Sequence, residues 1–532
     1  MARLGEALPE MLAARGIETA FALPGLPAIE AFRAIDGSGL RVVWARSAAG
    51  AGFMADGYAR ASGHPAAVIA VTGPGLTGLA TAMGQALSDS APMLVLTATN
   101  PPWITGAGTG APHDLRDAGA LAASVALWSR RVDKPEDLAP ALDAAMAQFA
   151  AGRPGPVHIE IPKTVLAGPA PPTAPPAETP EPPGLTAAKA AEIVARLSMA
   201  RRPLILAGGG AVSAADHVVA LARRIEAPVL LTSGARGLLA PDDRLYAGGW
   251  LPTAPMRALL SRADAVLAIG TELAESDWSL DQPAPIGLAL AEGVLIRIDI
   301  DPAQLERNAP ASIAAAADAG RALETLLDNL PQRDAPAPDG AALRREAAAA
   351  LPERFARHAP VIEAVWEHLP DAILVADVTE PARYGRIAAA PPAPRRWWTA
   401  ECGFRALGYA LPAAIGAKVA EPRRPVVALI GDGGIAGVVG ELSAAFEAAA
   451  HVIVLVWNNS GYGETREQMR AAGVKPVGVD LAPVEFQPLA RAFGAAHARV
   501  HNAGYLRDAL KKAMMRPGPT ILELREEYWF EA

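Results

Sequence analysis

The apolar run over residues 426–430 ends in Gly431-Asp432-Gly433, and a second run, over residues 452–457, ends in Asn458-Asn459. Between them, residues 441–450 read as a helix. Strand, helix and strand of those lengths leave the chain few choices: they form a βαβ unit whose two strands are parallel. Their C-termini then lie side by side, at the edge where open α/β sheets bind ligands. Asp432 brings a carboxylate to that edge and Asn459 an amide oxygen, and both are hard oxygen ligands. Magnesium takes few protein oxygens plus phosphate oxygens in an octahedron, so Asp432, Asn459 and a backbone carbonyl near Gly461 are the expected metal ligands, completed by a bound diphosphate. Gly431, Gly433 and Gly434 lack a Cβ, which lets backbone N–H groups approach phosphate oxygens closely.

The rest of the chain repeats this grammar. Short buried runs at residues 68–72 and 93–97 alternate with helical stretches before residue 167, and runs at 204–207, 265–270 and 294–299 do so in the middle. Residues 168–184 and 330–340 are crowded with proline and small or acidic residues, and they read as stiff linkers. The expectation is an α/β chain of three doubly wound parallel-sheet domains, over residues 1–167, 185–330 and 344–532, which suits a length of 532 residues.

A net charge of −8 and a pI near 5.7 argue against a nucleic-acid partner, which asks for a basic face. Cys402 is the single cysteine and excludes an intrachain disulfide; it reads as a small buried residue rather than a reactive one. The N-terminus shows no basic stretch followed by an apolar segment, and no run reaches about 18 apolar residues, so the expectation is a cytoplasmic chain with no membrane partner. Gly208-Gly209-Gly210 follows a strand but lacks GxGxxG spacing; it reads as a tight turn. His158, inside Val157-His158-Ile159, reads as a structural strand histidine.

The GDG and NN pairing at this spacing resembles the cofactor motif of thiamine-diphosphate enzymes. Gly25 in Leu23-Pro24-Gly25, the stretch from Phe53 to Arg60 containing Ala55-Asp56-Gly57-Tyr58, Thr72-Gly73-Pro74-Gly75 and Leu407-Gly408-Tyr409-Ala410-Leu411-Pro412 resemble the acetolactate synthase and 2-oxoacid decarboxylase branch. Gly461-Tyr462-Gly463-Glu464, Pro476-Val477-Gly478-Val479-Asp480 and the segment from Gly270 to Glu275 look most like 5-guanidino-2-oxopentanoate decarboxylases. The resemblance covers essentially the whole chain.

It implies a pyrimidine-binding first domain, a Rossmann-like central domain and a diphosphate-binding third domain, with thiamine diphosphate and Mg2+ as cofactors. Some relatives hold FAD at the central domain; here the turn reading of Gly208–Gly210 is preferred, with FAD as the lesser alternative. Leu407 maps to the apolar wedge that folds the cofactor so that its own imino nitrogen can take the thiazolium C2 proton. Gly25, Thr379, Glu380, Arg405, Leu407, Gly431, Gly433, Gly434, Asn459, Gly461, Tyr462 and Gly463 map to cofactor-binding positions, and His113 and Glu464 to substrate-facing ones. A carboxylate at Glu464 suits pairing with a guanidinium tail, or it is a helix-start glutamate favoured by the local dipole. Half-sites on separate subunits imply a homodimer or homotetramer.

The chain departs from that pattern at the pyrimidine. Relatives read Arg-His-Glu-x-Gly where this chain reads Arg46-Ser47-Ala48-Ala49-Gly50, so Ala48 stands at the position of the missing catalytic glutamate. Arg405 replaces a small glycine two residues before the wedge, and Glu380 stands where relatives tend to have glutamine. The principal reading is a lyase that decarboxylates a small 2-oxo acid through a thiazolium ylide, with precedent for an apolar residue at position 48 in glyoxylate carboligases. The alternatives are an acetolactate-synthase-like carboligase and a weakly active pseudoenzyme or regulatory subunit.

Overall fold

A computed structural model describes residues 2–172, 175–280 and 293–530. The chain divides into two compact units, Met1–Pro180 with Ile373–Thr379 and Phe404–Ala532, and Glu181–Ala372 with Glu380–Gly403.

In the first unit, β1 (Thr19–Ala22), β2 (Arg41–Trp44), β3 (Ala66–Val71), β4 (Met93–Thr99), β5 (Trp128–Arg131) and β6 (Pro156–Pro162) form a parallel sheet in the order β2-β1-β3-β4-β6-β5. Strands β3, β4 and β6 are buried along their whole length, because helices cover both faces of such a sheet and each strand must read as a continuous apolar run. The order reverses between β1 and β3. At that switch point Gly25 lies so close that a Cβ would sit 2.7 Å from Val71 Cγ1, which explains glycine there.

The second unit carries β7 (Pro203–Ala207), β8 (Val229–Leu231), β9 (Tyr246–Gly248), β10 (Ala265–Ile269), β11 (Val294–Asp299) and β12 (Ile313–Ala316), ordered β12-β11-β10-β7-β8-β9. Gly208 and Gly210 follow β7 and press on the loop after β10: a Cβ on Gly208 would lie 2.3 Å from the Gly270 carbonyl, and the Gly210 amide donates to that carbonyl at 3.0 Å. The triple glycine thus lets two backbones touch at this sheet's own switch point. This unit also holds β14 (Trp397–Thr399) and the helices Gly340–Ala349 and Ala359–His368.

The remaining strands return to the first unit. β13 (Ile373–Ala376), β15 (Val426–Gly431), β16 (Val452–Asn458), β17 (Ala496–Val500) and β18 (Thr520–Arg525) run in the order β13-β15-β16-β18-β17, all parallel. The register pairs Gly431 with Trp457, so Asp432 and Asn458 leave their strands level with each other, as the βαβ reading requires. The intervening helix spans Glu441–Glu447, shorter than its sequence pattern, because Ala449 adopts φ 51° and turns the chain back toward β16.

Within the same unit, the helices Ala48–Ser62 and Ala410–Ala420 pack backbone on backbone. A Cβ on Gly57 would lie 1.9 Å from the Ala413 carbonyl oxygen, and one on Gly416 would lie 1.8 Å from that of Met54. Gly57 and Gly416 therefore let the two helix backbones touch at one crossing.

Candidate active site

The end of β15 turns directly into the short helix Asp432–Ala436. Asp432 is 5% exposed, and the nearby backbone N–H groups of Gly433, Gly461 and Asn459 favour its charged form. Burial nevertheless dominates and lifts its pKa from 3.8 to about 6, while Oδ1 has no hydrogen-bond partner. A buried carboxylate oxygen left unmatched costs free energy unless a ligand engages it. Asp432, Asn459 and Gly461 are thus brought together as the sequence implies, in a hard-oxygen set that fits a magnesium–diphosphate group.

The loop after β16 is held open around that point. Gly461 has φ 146°, a Cβ on it would lie 2.0 Å from the Val479 carbonyl, and the Tyr462 amide donates to that same carbonyl at 2.8 Å. Val479-Asp480 therefore serves as the strut of the Gly461–Gly463 loop. Tyr462 covers Gly433, whose Cβ would meet its ring at 2.7 Å. Asn458 is held by Glu523 through Nδ2 at 2.9 Å, and Glu523 is fixed in its charged form, its pKa lowered to about 2 by His497, Arg525, Asn458 and Arg499 against the opposing effect of burial. On the other flank, Thr379 follows β13 and lies against Gly431, whose Cβ would be 3.6 Å from Thr379 Cγ2. Glu380 begins the helix Glu380–Ala388, which belongs to the second unit.

Leu407 reaches the same place from a different segment. Its Cδ1 lies 3.6 Å from where a Gly434 Cβ would be, yet the residue is 48% exposed, an unusual state for leucine flanked by buried Ala406 and Gly408. The Gly408 amide donates to Asp377 Oδ2 at 2.8 Å, and the Ala406 amide donates to Gln85 Oε1 at 3.0 Å. Arg405 adopts φ 57°, the left-handed region that favours glycine, which accounts for the residue type that relatives carry there. Its guanidinium pairs with Glu464 at 2.9 Å, and Glu464 also accepts from Gln468 at 3.0 Å.

The residues expected on the pyrimidine side lie in the first unit. Ala48 is the first residue of the helix Ala48–Ser62; it is buried, and its Cβ faces Gly78. The preceding Ser47 caps the helix through the Gly50 amide at 2.9 Å. Glu441 reaches the same turn: its carboxylate accepts from the Arg46 amide at 3.0 Å, the Ser47 amide at 2.9 Å and the Ser47 hydroxyl at 2.9 Å. Glu441 is 1% exposed and its pKa is raised by burial. A Cβ on Gly50 would collide with it at 2.1 Å, so that glycine makes room for a carboxylate from another segment. His113 has φ 63°; its carbonyl accepts from the Thr72 hydroxyl at 3.1 Å, its backbone packs on Gly73, and its buried Nδ1 has no partner. His158 is buried between Thr97 and Ser129, 2.7 Å from each hydroxyl, and burial lowers its pKa to about 4, so it is a neutral core residue.

Three family descriptions tile the chain: "Thiamine pyrophosphate enzyme, N-terminal TPP binding domain" over residues 2–121, the central domain over 190–326, and the "C-terminal TPP binding domain" over 380–524. A "Probable 2-ketoarginine decarboxylase AruI" from Pseudomonas aeruginosa is 40% identical over 529 residues, covering 98% of this chain and 93% of that protein. The chain belongs to the thiamine pyrophosphate enzyme family. The acetolactate synthase isozyme 1 large subunit of Escherichia coli is 28% identical across 98% of this chain and 93% of its own length. Among solved structures, the thiamine diphosphate-dependent 4-hydroxybenzoylformate decarboxylase of Rhodococcus jostii RHA1 has the same fold, with a TM-score of 0.86, 24% identity and full coverage of both chains. The cofactor of this family is therefore the group to which the Asp432 site must answer.

Glu441, Asp377 and Gln85 have no part in the sequence reading. Each lies far along the chain from the segment it holds, and only the folded first unit brings them together. The available signal was polarity out of place: Gln85 interrupts an apolar helical stretch, and Asp377 ends an apolar strand.

Proposed function

We propose that this chain is a thiamine-diphosphate- and magnesium-dependent lyase that decarboxylates a 2-oxo acid. The observation that carries the reading is the buried Asp432 carboxylate, with one oxygen unmatched, gathered with Asn459, Gly461, Gly434 and Leu407. In this reading Asp432, the Asn459 side chain and the Gly461 carbonyl hold magnesium, and Thr379, Gly431, Gly433 and Gly434 line the diphosphate. Leu407 supports the folded cofactor from below. The bound cofactor supplies an electron sink for the carbon that loses carbon dioxide.

The protein's own groups then bind and orient the acid. His113, fixed by Thr72 and Gly73, presents an imidazole nitrogen that can hold or deliver a proton, and the Arg405–Glu464 pair forms a charged rim. Ala48 offers no carboxylate to the aminopyrimidine, which makes proton removal slower than in relatives with glutamate. Residues 1–167, 185–330 and 344–532 would serve as pyrimidine-binding, central and diphosphate-binding domains, and Gly25 would lie on the pyrimidine side. Among the described residues no helix is long and apolar enough to cross a membrane; cytoplasmic location is part of this proposal, in keeping with a single cysteine.

The named activity of the 40% identical relative supports decarboxylation, and the acetolactate synthases support carboligation as a second reading. Product analysis separates them. Purified protein with thiamine diphosphate, magnesium and a panel of 2-oxo acids should release carbon dioxide and an equal amount of aldehyde; a 2-hydroxy ketone as the main product would favour carboligation.

A further inference from the structure

The stretch from Phe53 to Arg60 does more than pack helices. Asp56 is fully buried in the helix Ala48–Ser62 and accepts a hydrogen bond from the Tyr409 hydroxyl. One turn later Arg60 donates to Asp89 at 2.9 Å and to the Tyr409 oxygen at 3.4 Å, and it stands 3.9 Å from Asp56. Asp89 accepts from Gln85 Nε2 at 2.7 Å, and Gln85 Oε1 in turn accepts from the Ala406 amide at 3.0 Å. The chain of contacts leaves the 406–409 segment at one end and re-enters it at the other. Between its two ends is Leu407, which stays half exposed beside Gly434.

Such a cluster is costly to bury. Two carboxylates face one guanidinium, Asp56 Oδ2 has no partner, and burial outweighs Arg60 in raising the pKa of both acids. Apolar residues of similar volume would close a helix crossing as well or better. Directional bonds give something that apolar packing does not: they fix the Ala406 backbone amide and the Tyr409 hydroxyl on either side of Leu407. Gly408 has φ 82°, a Cβ on it would lie 3.3 Å from the Gly434 carbonyl oxygen, and its amide is pinned by Asp377, so the segment is held from the Gly434 side as well.

We infer that Asp56, Arg60, Asp89 and Gln85 are positioning residues for Leu407, acting through the Tyr409 hydroxyl and the Ala406 amide. This rests on the reading of Leu407 as the support beneath the bound cofactor. The network fixes the position of that support.

The test compares Tyr409→Phe, Gln85→Leu, Asp56→Asn and Leu407→Ala by two measurements. The first is backbone hydrogen exchange across residues 404–410 in protein without cofactor. The second is the C2 hydrogen–deuterium exchange rate of bound thiamine diphosphate with magnesium, taken alongside its affinity. Tyr409→Phe and Gln85→Leu should each expose the 404–410 amides to faster exchange and slow C2 exchange by about tenfold or more, with affinity held within about threefold. Asp56→Asn keeps an acceptor for Tyr409 and should stay near the wild-type rate. A purely structural role would lower thermal stability in the first two variants and leave C2 exchange per bound cofactor unchanged, and that result overturns the inference. If Leu407→Ala slows C2 exchange while Tyr409→Phe and Gln85→Leu do not, only the positioning role fails. If Leu407→Ala exchanges at the wild-type rate, the support reading fails and the inference with it. Should Tyr409→Phe not fold, Gln85→Leu carries the same decision.

Discussion

Asp432 is strained by its own burial, and that strain gives the site a pH signature. Its pKa stands at about 6 against 3.8 for an ordinary aspartate, so the folded protein binds a proton that the unfolded chain releases. The stability this group contributes is fully present below about pH 4 and is lost as pH rises through about 6. Asp432→Asn should therefore stabilise the cofactor-free protein at pH 7 by about 1–3 kcal/mol, since a shift of one pKa unit is worth about 1.4 kcal/mol. The same change removes the carboxylate proposed to hold magnesium, so thermal stabilisation by magnesium and thiamine diphosphate should vanish; an equal stabilisation in wild type and variant would contradict the assignment. Ala48 makes the complementary prediction. Ala48→Glu should accelerate C2 exchange of the bound cofactor, and Arg405→Gly combined with it should preserve the gain if Arg405 otherwise captures the new carboxylate. At this scale the meeting of Asp432, Asn459 and Gly461 was legible, because GDG and NN mark the ends of two adjacent strands. The unmatched Oδ1 and the raised pKa were not, because they arise from burial by residues of other segments.

The elements meet through glycines that no side-chain pattern marks. Gly57→Ala would drive a methyl group into the Ala413 carbonyl, and Gly416→Ala into that of Met54, at contacts where backbone rather than a flexible side chain must yield. Each should destabilise the protein by about 3 kcal/mol or more, seen as a lower unfolding midpoint in denaturant, with the slope of the transition unchanged. The strands and the βαβ order followed from apolar runs, which are unambiguous in sheets covered on both faces. The shorter helix before β16 did not, because a left-handed Ala449 is set by the turn into the strand rather than by composition. Glu441 shows the same limit: its helix could be read, but its hold on the Arg46-Ser47 amides depends on which end of which helix it faces. Glu441→Ala should leave three donors near the start of the helix Ala48–Ser62 unmatched and lower stability by about 1–3 kcal/mol, measured by thermal unfolding.

On the scale of the whole molecule, several large apolar side chains of the first unit lie open. Leu407 and Phe404 are each 48% exposed, and Leu26 and Trp103 more so. Exposed apolar surface of this kind suits an interaction site, and the proposed partner is a second copy of the chain. Light scattering at micromolar protein should give the mass of a dimer or tetramer; a monomer of 54.9 kDa would contradict it. Family and fold were legible over the entire length because the motifs are distributed from Gly25 to Asn459. Turnover was not, because Ala48 removes the one residue from which activity is usually inferred. The most direct test is carbon dioxide release by the purified protein from a panel of 2-oxo acids, with and without thiamine diphosphate and magnesium. Release should require both cofactors, with aldehyde formed in equal amount and both lost in Asp432→Ala; bound cofactor with no release from any acid would show that the site holds its cofactor without lyase chemistry.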